Sequence, residues 1–136
     1  MKIEPEPQDF DPDNFQASDA LVALQEGVRL FNSGEYHAAH EEFERCWLAN
    51  EAGDADFFKG LVQASICMYH LVRDNPEGAK KLYTGHRRLL GSYLPHFAGL
   101  DIADFLGQMQ TVLRPVLRGG SREPDQAPCL NWTKSS

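Results

Sequence analysis

The chain has 136 residues, of which 42% are hydrophobic and 24% are charged, and its formal net charge is -7. This length predicts one domain with a single core that needs neither disulfides nor metals to fold. The negative charge disfavours binding to nucleic acids and to anionic membranes, because lysine and arginine supply most of the affinity for phosphate. No apolar run approaches the roughly 20 residues that span a bilayer. The first residues also lack the pattern of a signal peptide.

The three cysteines, Cys46, Cys67 and Cys129, are odd in number and form no CxxC pair. Two of them fall inside apolar helical stretches, where a free cysteine behaves as a small hydrophobic residue. Together with the absence of a leader pattern, this favours a reducing cytoplasm as the compartment.

The two ends of the chain differ in composition from its middle. Residues 1–17 are rich in proline and acidic side chains and predict an extended acidic arm. Residues 119–136 are rich in turn formers and predict a flexible tail, in which Trp132 could dock or stay free. The sequence therefore predicts a single helical domain over residues 18–118.

Apolar residues recur with helical spacing between these ends, and no segment alternates as a strand would. Short connections follow most of the helices, so neighbours should pack antiparallel. Gly34 is free to adopt a positive φ in the first turn, while Asn75 and Pro76 mark the start of a helix. Five helices are predicted over about 19–32, 35–50, 56–74, 76–93 and from Ile102 to Pro115, where proline ends or kinks the last one.

The stretches "LFNSGEYHAAHEEFERCW" and "LVRDNPEGAKKLYTGHRRLL" share a turn, a small residue and an aromatic residue at related offsets. This helix-turn-helix rhythm is similar to that of tetratricopeptide repeats, although two copies fall short of the three that a solenoid normally needs. The predicted fold is an all-α, compact array of antiparallel helical hairpins.

Polar residues interrupt the apolar faces of the second and third predicted helices. At 100° per residue, His40 and Glu44 fall in the same arc as the aromatic Trp47. In the third helix, Gln63 and His70 share a strip with small residues that would let a neighbour approach closely. The simplest arrangement faces this strip against His40 and Glu44, so that buried polar groups hydrogen-bond to one another.

The ordered set of these residues resembles the motif of the family known as domain of unknown function 309, small helical proteins of bacteria and archaea. The resemblance covers roughly residues 24–94 and implies the all-α fold and the polar cluster, but the family has no established activity to lend. Asp74 departs from the family pattern, which tends to have glycine before the asparagine. The matching residues are His40, Glu41, Glu44, Trp47, Gly60, Leu61, Gln63, His70 and Asn75.

Three interpretations of the cluster remain open from the sequence. It could be a structural network or a pocket for a small polar ligand. It could bind a single divalent metal ion, with ligands from His37, His40, Glu44 and His70. It could also hold an acid/base pair, because a glutamate buried beside tryptophan would have a raised pKa.

No nucleophile motif or phosphate-binding glycine loop accompanies the cluster, and no cofactor is firmly implied. We therefore expect a binding or interaction module with a polar pocket for a small ligand or a peptide. The alternative is a metal-assisted or acid/base hydrolase that uses His40, Glu44 and His70.

The sequence leaves open a homodimer through the fifth helix or Trp132. His86 is predicted to be a core or boundary residue. The predicted pocket consists of His40, Glu41, Glu44, Trp47, Gln63 and His70.

Overall fold

The computed structural model describes residues 17–49 and 54–133. Within them, five α-helices and one two-stranded sheet form a compact helical array, which confirms the predicted fold class. The predicted acidic arm over residues 1–17 lies almost wholly outside the described residues. The helices run over Ala17–Asn32 (α1), Tyr36–Ala49 (α2), Ala55–Val72 (α3), Pro76–Leu90 (α4) and Ile102–Leu117 (α5).

Two tight turns bring successive helices side by side. Gly34 has a φ of 83° in the turn between α1 and α2, as its position predicted. In the turn before α4, Asn75 Oδ1 accepts a hydrogen bond of 3.2 Å from the Gly78 backbone N–H, so the predicted helix cap is confirmed. Asp74 has a φ of 59°. Glycine adopts this left-handed conformation without strain, whereas aspartate does so less readily.

Helix α3 is the central element, because it packs against α2 on one side and α4 on the other. Its residues Leu61 and Met68 are almost completely buried. Helix α5 closes the core from the other side, where the Phe105 ring lies 5.5 Å from the Phe31 ring of α1. Burial of one such phenylalanine contributes about 1.5–3 kcal/mol, so these contacts fix α5 against the first hairpin.

The connection between α4 and α5 contains structure that the sequence did not predict. A short 3-10 turn at Gly91–Tyr93 precedes the strands His96–Phe97 (β1) and Leu100–Asp101 (β2), which pair antiparallel. Two-residue strands are too short to show an alternating pattern.

Pro115 lies inside α5, which continues to Leu117. Its nitrogen has no hydrogen to donate within the helix, so one hydrogen bond of α5 is lost, and the helix ends two residues later.

Within the predicted tail over residues 119–136, the stretch Cys129–Thr133 packs against the helical body. Leu130 is only 1% exposed and belongs to the core. Its backbone N–H and carbonyl both bond to the Asn32 side chain of α1, at 2.7 and 2.9 Å. The Asp101 N–H also donates to the Asn131 carbonyl at 2.9 Å. These contacts to residues far away in the sequence hold the segment on the body.

No helix among the described residues is both long enough and apolar enough to cross a membrane.

Candidate binding face

Helix α2 places its predicted site residues at the edge of its buried side. Ala39 and Phe43 face the core and are fully buried. His40, Glu44 and Trp47 are half-buried, at neighbouring positions on the helix. The apolar arc that holds them therefore continues out to the surface, and their side chains lie between the core and solvent.

The predicted strip on α3 packs against α4, so its predicted pairing with α2 is wrong. A Cβ added at Gly60 would lie 2.7 Å from the Leu90 side chain of α4. The Cys67 thiol donates to the Ala79 carbonyl of α4 at 3.2 Å. Gly60 and Cys67 thus serve the close approach of α4, because small residues let two helix backbones come together.

The two polar residues of that strip also contact α4 or the turn that leads into it. The amide oxygen of Gln63 is directed at Gly85 of α4, where a Cβ would collide with it. The Nδ1 atom of His70 accepts a hydrogen bond of 3.2 Å from the Asn75 side chain in the turn before α4. Both residues are half-buried, so they remain at the surface between the helices.

Helix α2 meets a different edge of α3. The Lys59 ammonium lies 5.6 Å from the centre of the Trp47 ring. At the opposite end, the His37 and Tyr69 rings are 5.4 Å apart. Since residue 47 lies opposite 59 and residue 37 opposite 69, the two helices are antiparallel. His40 and Glu44 lie between these two contacts along α2.

Four aromatic or imidazole rings form a continuous row across α2 and α3. The ring centres of His40 and His37 are 4.8 Å apart, and those of Tyr69 and His70 are 6.0 Å apart. The Arg73 guanidinium lies 5.2 Å from the Tyr69 ring centre, close enough for a cation–π interaction. The His40 Nδ1 atom lies 2.6 Å from the His37 carbonyl and is held on its own helix.

These side chains define one surface, which we call the α2–α3 face. It follows a ridge of half-buried residues on α3, continues to the exposed Arg73 just after that helix, and includes the adjacent edge of α2 with the exposed His37. On α3 this ridge recurs every three or four residues, as expected for one side of a helix. The face consists of His37, His40, Glu44, Trp47, Lys59, Gln63, Ile66, Tyr69, His70 and Arg73.

The predicted hydrogen-bond network is not found on this face. In the described part of the chain, no hydrogen bond joins any two of His40, Glu44, Gln63 and His70. Glu41 is exposed, with its carboxylate 3.9 Å from the His37 Nδ1 atom. The amide oxygen of Gln63 is shielded from solvent and has no hydrogen-bond partner among the described residues. The polar side chains of the face are therefore not bonded to one another; the His40 and His70 rings bond to the His37 carbonyl and to Asn75 instead.

The same geometry bears on the predicted metal ligands. Across residues 17–49 and 54–133, no three His, Cys, Asp or Glu side chains come close enough together to hold a metal ion. His37, His40, Glu44 and His70 are therefore not gathered into one ligand set. The reason is their orientation, since His40 is held by its own helix and His70 by the turn before α4.

His86 is a core residue, as predicted. It is 0% exposed and its Nδ1 atom lies 2.5 Å from the Tyr83 carbonyl. Burial lowers its pKa to about 4, and the backbone contact with Tyr83 opposes this shift only in part. The Nε2 atom has no hydrogen-bond partner among the described residues. The imidazole is thus neutral in the folded protein at neutral pH.

Sequence reasoning missed the two cationic ends of the face. Lys59 and Arg73 each lie over an aromatic ring, Trp47 and Tyr69 respectively. A helical wheel of α3, extended to Arg73, places both residues on the same side as Gln63 and His70. Their place on the face could therefore have been predicted from the sequence. They were missed because charged residues near helix ends usually belong to a solvated surface.

Known proteins support the predicted family. Residues 24–82 match the family described as "Domain of unknown function (DUF309)". The match confirms the resemblance over all of α2 and α3 and the adjoining parts of α1 and α4. It includes every residue of the α2–α3 face.

A longer protein also shows similarity. An uncharacterized protein of Aquifex aeolicus (strain VF5) is 25% identical over 114 residues, which is 83% of this chain. The chain spans 32% of the length of that relative.

Substitution of Glu44 by glutamine should leave stability nearly unchanged. Glu44 is half-buried and makes no hydrogen bond to another described residue, so the change removes no pairing. We expect the free energy of unfolding in urea to change by less than about 0.5 kcal/mol, as for most surface substitutions. A loss of about 1–3 kcal/mol would instead show that Glu44 belongs to a buried structural network.

Proposed function

We propose that this domain binds a helical or extended segment of a partner protein along the α2–α3 face. The observation that carries the proposal is the line of half-buried polar and aromatic side chains across α2 and α3, which form no hydrogen-bond network of their own. A surface of this kind offers apolar area beside polar side chains, the combination found in interaction sites.

The shape of the face favours a peptide over a small molecule. Lys59 lies in α3 and Arg73 directly follows that helix. A separation of 14 residues corresponds to about 21 Å along a helix. A drug-sized ligand needs a concave pocket that buries most of its surface. A pocket of about 440 Å³ lies at one end of the face, beside His37, Tyr69 and Arg73. The length of the whole face matches a segment of about four helical turns.

The chemistry of the face suggests the character of that segment. Trp47, Ile66 and Tyr69 supply partly buried apolar area, which would contact apolar residues of the partner at helical spacing. Lys59 and Arg73 supply a positive charge at each end, so acidic residues about four turns apart would complement them. Tryptophan, tyrosine and arginine are also the residues in which interface energy is most often concentrated.

The arrangement of the helices is consistent with this role. Helices α1 and α2 form one packed pair, and α3 and α4 form another. Tetratricopeptide repeats present such helical pairs to peptide ligands, so the repeat-like sequence rhythm supports the proposal by analogy. No contact in residues 17–49 and 54–133 favours the alternative of a hydrolase centred on His40, Glu44 and His70.

Selection from a library of random 12-residue peptides displayed on phage tests the proposal. The wild-type domain should enrich peptides with a shared pattern of apolar and acidic residues. The triple variant His40→Ala, Gln63→Ala, His70→Ala should lose this enrichment while keeping a cooperative unfolding transition. An exposed histidine off the face provides the matched control, and His96→Ala should enrich the same peptides as the wild type.

Failure to enrich any common pattern would contradict the proposal. So would equal enrichment by the triple variant and the wild type, because the peptides would then bind elsewhere.

A further inference from the structure

A second binding site is visible where the C-terminal segment crosses the body. Residues Cys129–Thr133 lie in a groove formed by the end of α1, by α5 and by β2. We call this the tail groove. It takes no part in the α2–α3 face, and the inference below does not depend on the proposed function.

Two side-chain amides hold the backbone of this segment. Asn32 bonds to both the N–H and the carbonyl of Leu130, at 2.7 and 2.9 Å. Gln108 does the same for Cys129, at 2.8 and 3.2 Å. Each side-chain amide thus bonds to the N–H and the carbonyl of one residue, as a neighbouring β-strand would. These bonds involve only the backbone of the segment, so they do not depend on its side chains.

Further backbone hydrogen bonds hold the rest of the segment. The Asp101 N–H donates to the Asn131 carbonyl at 2.9 Å, and the Thr133 N–H donates to the Gly99 carbonyl at 2.7 Å. Leu100 and Trp132 form an antiparallel bridge. The segment therefore binds as an extra strand on the edge of the small sheet.

Two side chains of the segment give the tail groove a preference for particular sequences. Leu130 is 1% exposed and fills an apolar site in the core. The Asn131 amide donates to the Asp104 carboxylate at 3.1 Å. A buried leucine followed by asparagine is therefore the preferred pattern within an otherwise backbone-driven site.

The hydrogen bonds that hold the segment lie within five consecutive residues, 129–133, and a mostly exposed stretch joins them to α5. Residues 119–127 are exposed apart from Arg122, which is half-buried. Nine extended residues can span up to about 30 Å. The segment is thus joined to α5 by a stretch of chain with the length to carry it to the groove of another copy.

We propose that the tail groove is a peptide-binding site that accepts the segment Cys129–Thr133 from a second copy of the chain as well as from the same chain. Exchange of this segment between two copies would form a closed dimer in which each groove is filled by the partner copy. Tethering gives the chain's own segment a millimolar effective concentration, so the site is normally filled from within one chain.

A free peptide spanning residues 127–134 can stand for the segment of the second copy. The full chain with Leu130→Ala keeps the groove but holds its own segment weakly, and its melting temperature should fall. Addition of the peptide at millimolar concentration, with a reductant for its cysteine, should raise that melting temperature by several degrees, because a ligand stabilises the state that binds it.

A matched peptide with aspartate in place of its leucine should give no rise. The wild-type chain should respond less than the variant to the original peptide, because its own segment occupies the groove. If the Leu130→Ala chain does not fold, Trp132→Ala weakens the segment more mildly, since that side chain is 42% exposed. An unchanged melting temperature with the original peptide, or an equal rise with both peptides, would overturn the proposal.

Discussion

Replacement of Gly60 by alanine should destabilise the protein by about 1–3 kcal/mol, the usual cost of forcing extra volume into a packed core. The added Cβ would lie 2.7 Å from both Cγ and Cδ2 of Leu90 and 3.3 Å from Cβ of Leu89. Leu90 is fully buried, so it has no free space to move into. The contact between α3 and α4 must therefore open, and unfolding in urea measures the loss.

Gly107 provides the matched control for this change. It also lies inside a helix, α5, but a Cβ added there meets no atom within 4 Å. Gly107→Ala should therefore raise stability by up to about 1 kcal/mol, because alanine favours a helix more than glycine does. The two substitutions are chemically identical, so opposite signs isolate the close approach of α4. A stabilising Gly60→Ala would contradict the packing of the α3 strip against α4.

Stability should fall as the pH is lowered from about 6.5 to about 4, because His86 is buried in its neutral form. Burial lowers the pKa of His86 from 6.5 to about 4, so the unfolded chain binds a proton in this range before the folded one does. Proton binding by the unfolded state favours unfolding. A shift of this size corresponds to a loss on the order of 3 kcal/mol, complete below the folded pKa.

His86→Leu separates this effect from the titration of the carboxylates. The difference in unfolding free energy between wild type and variant should change with pH between 7 and 4, in favour of the variant at low pH. His96, which is exposed, gives the control, and His96→Gln should follow the wild-type profile. A constant difference between wild type and His86→Leu across this range would show that His86 does not carry the effect.

The helices could be predicted from the sequence because their apolar residues repeat with strong helical spacing. Asn75 and Gly34 also mark a cap and a turn by local chemistry, which needs no knowledge of distant contacts. Which neighbour covers a given face of α3 could not be predicted. A helical wheel gives the direction of Gly60 and Gln63, but α3 has neighbours on both sides, and only the packed structure selects α4.

The C-terminal segment shows the same limit for long-range contacts. Its local sequence is that of a loop, and one leucine in such a stretch carries no periodic signal. Leu130 is nevertheless in the core because Asn32, 98 residues earlier, bonds to its backbone. The small sheet that supports it consists of two-residue strands, which no pattern in the sequence could reveal.

Mapping of a selected peptide by amide chemical shifts tests the central proposal most directly. A peptide obtained from the phage selection would be titrated into the isotopically labelled chain, and the perturbed backbone amides assigned. The proposal predicts that the largest changes lie along α2 and α3, between Tyr36 and Arg73. Changes confined to α5, β2 and residues 129–133 would place the peptide in the tail groove and contradict binding on the α2–α3 face.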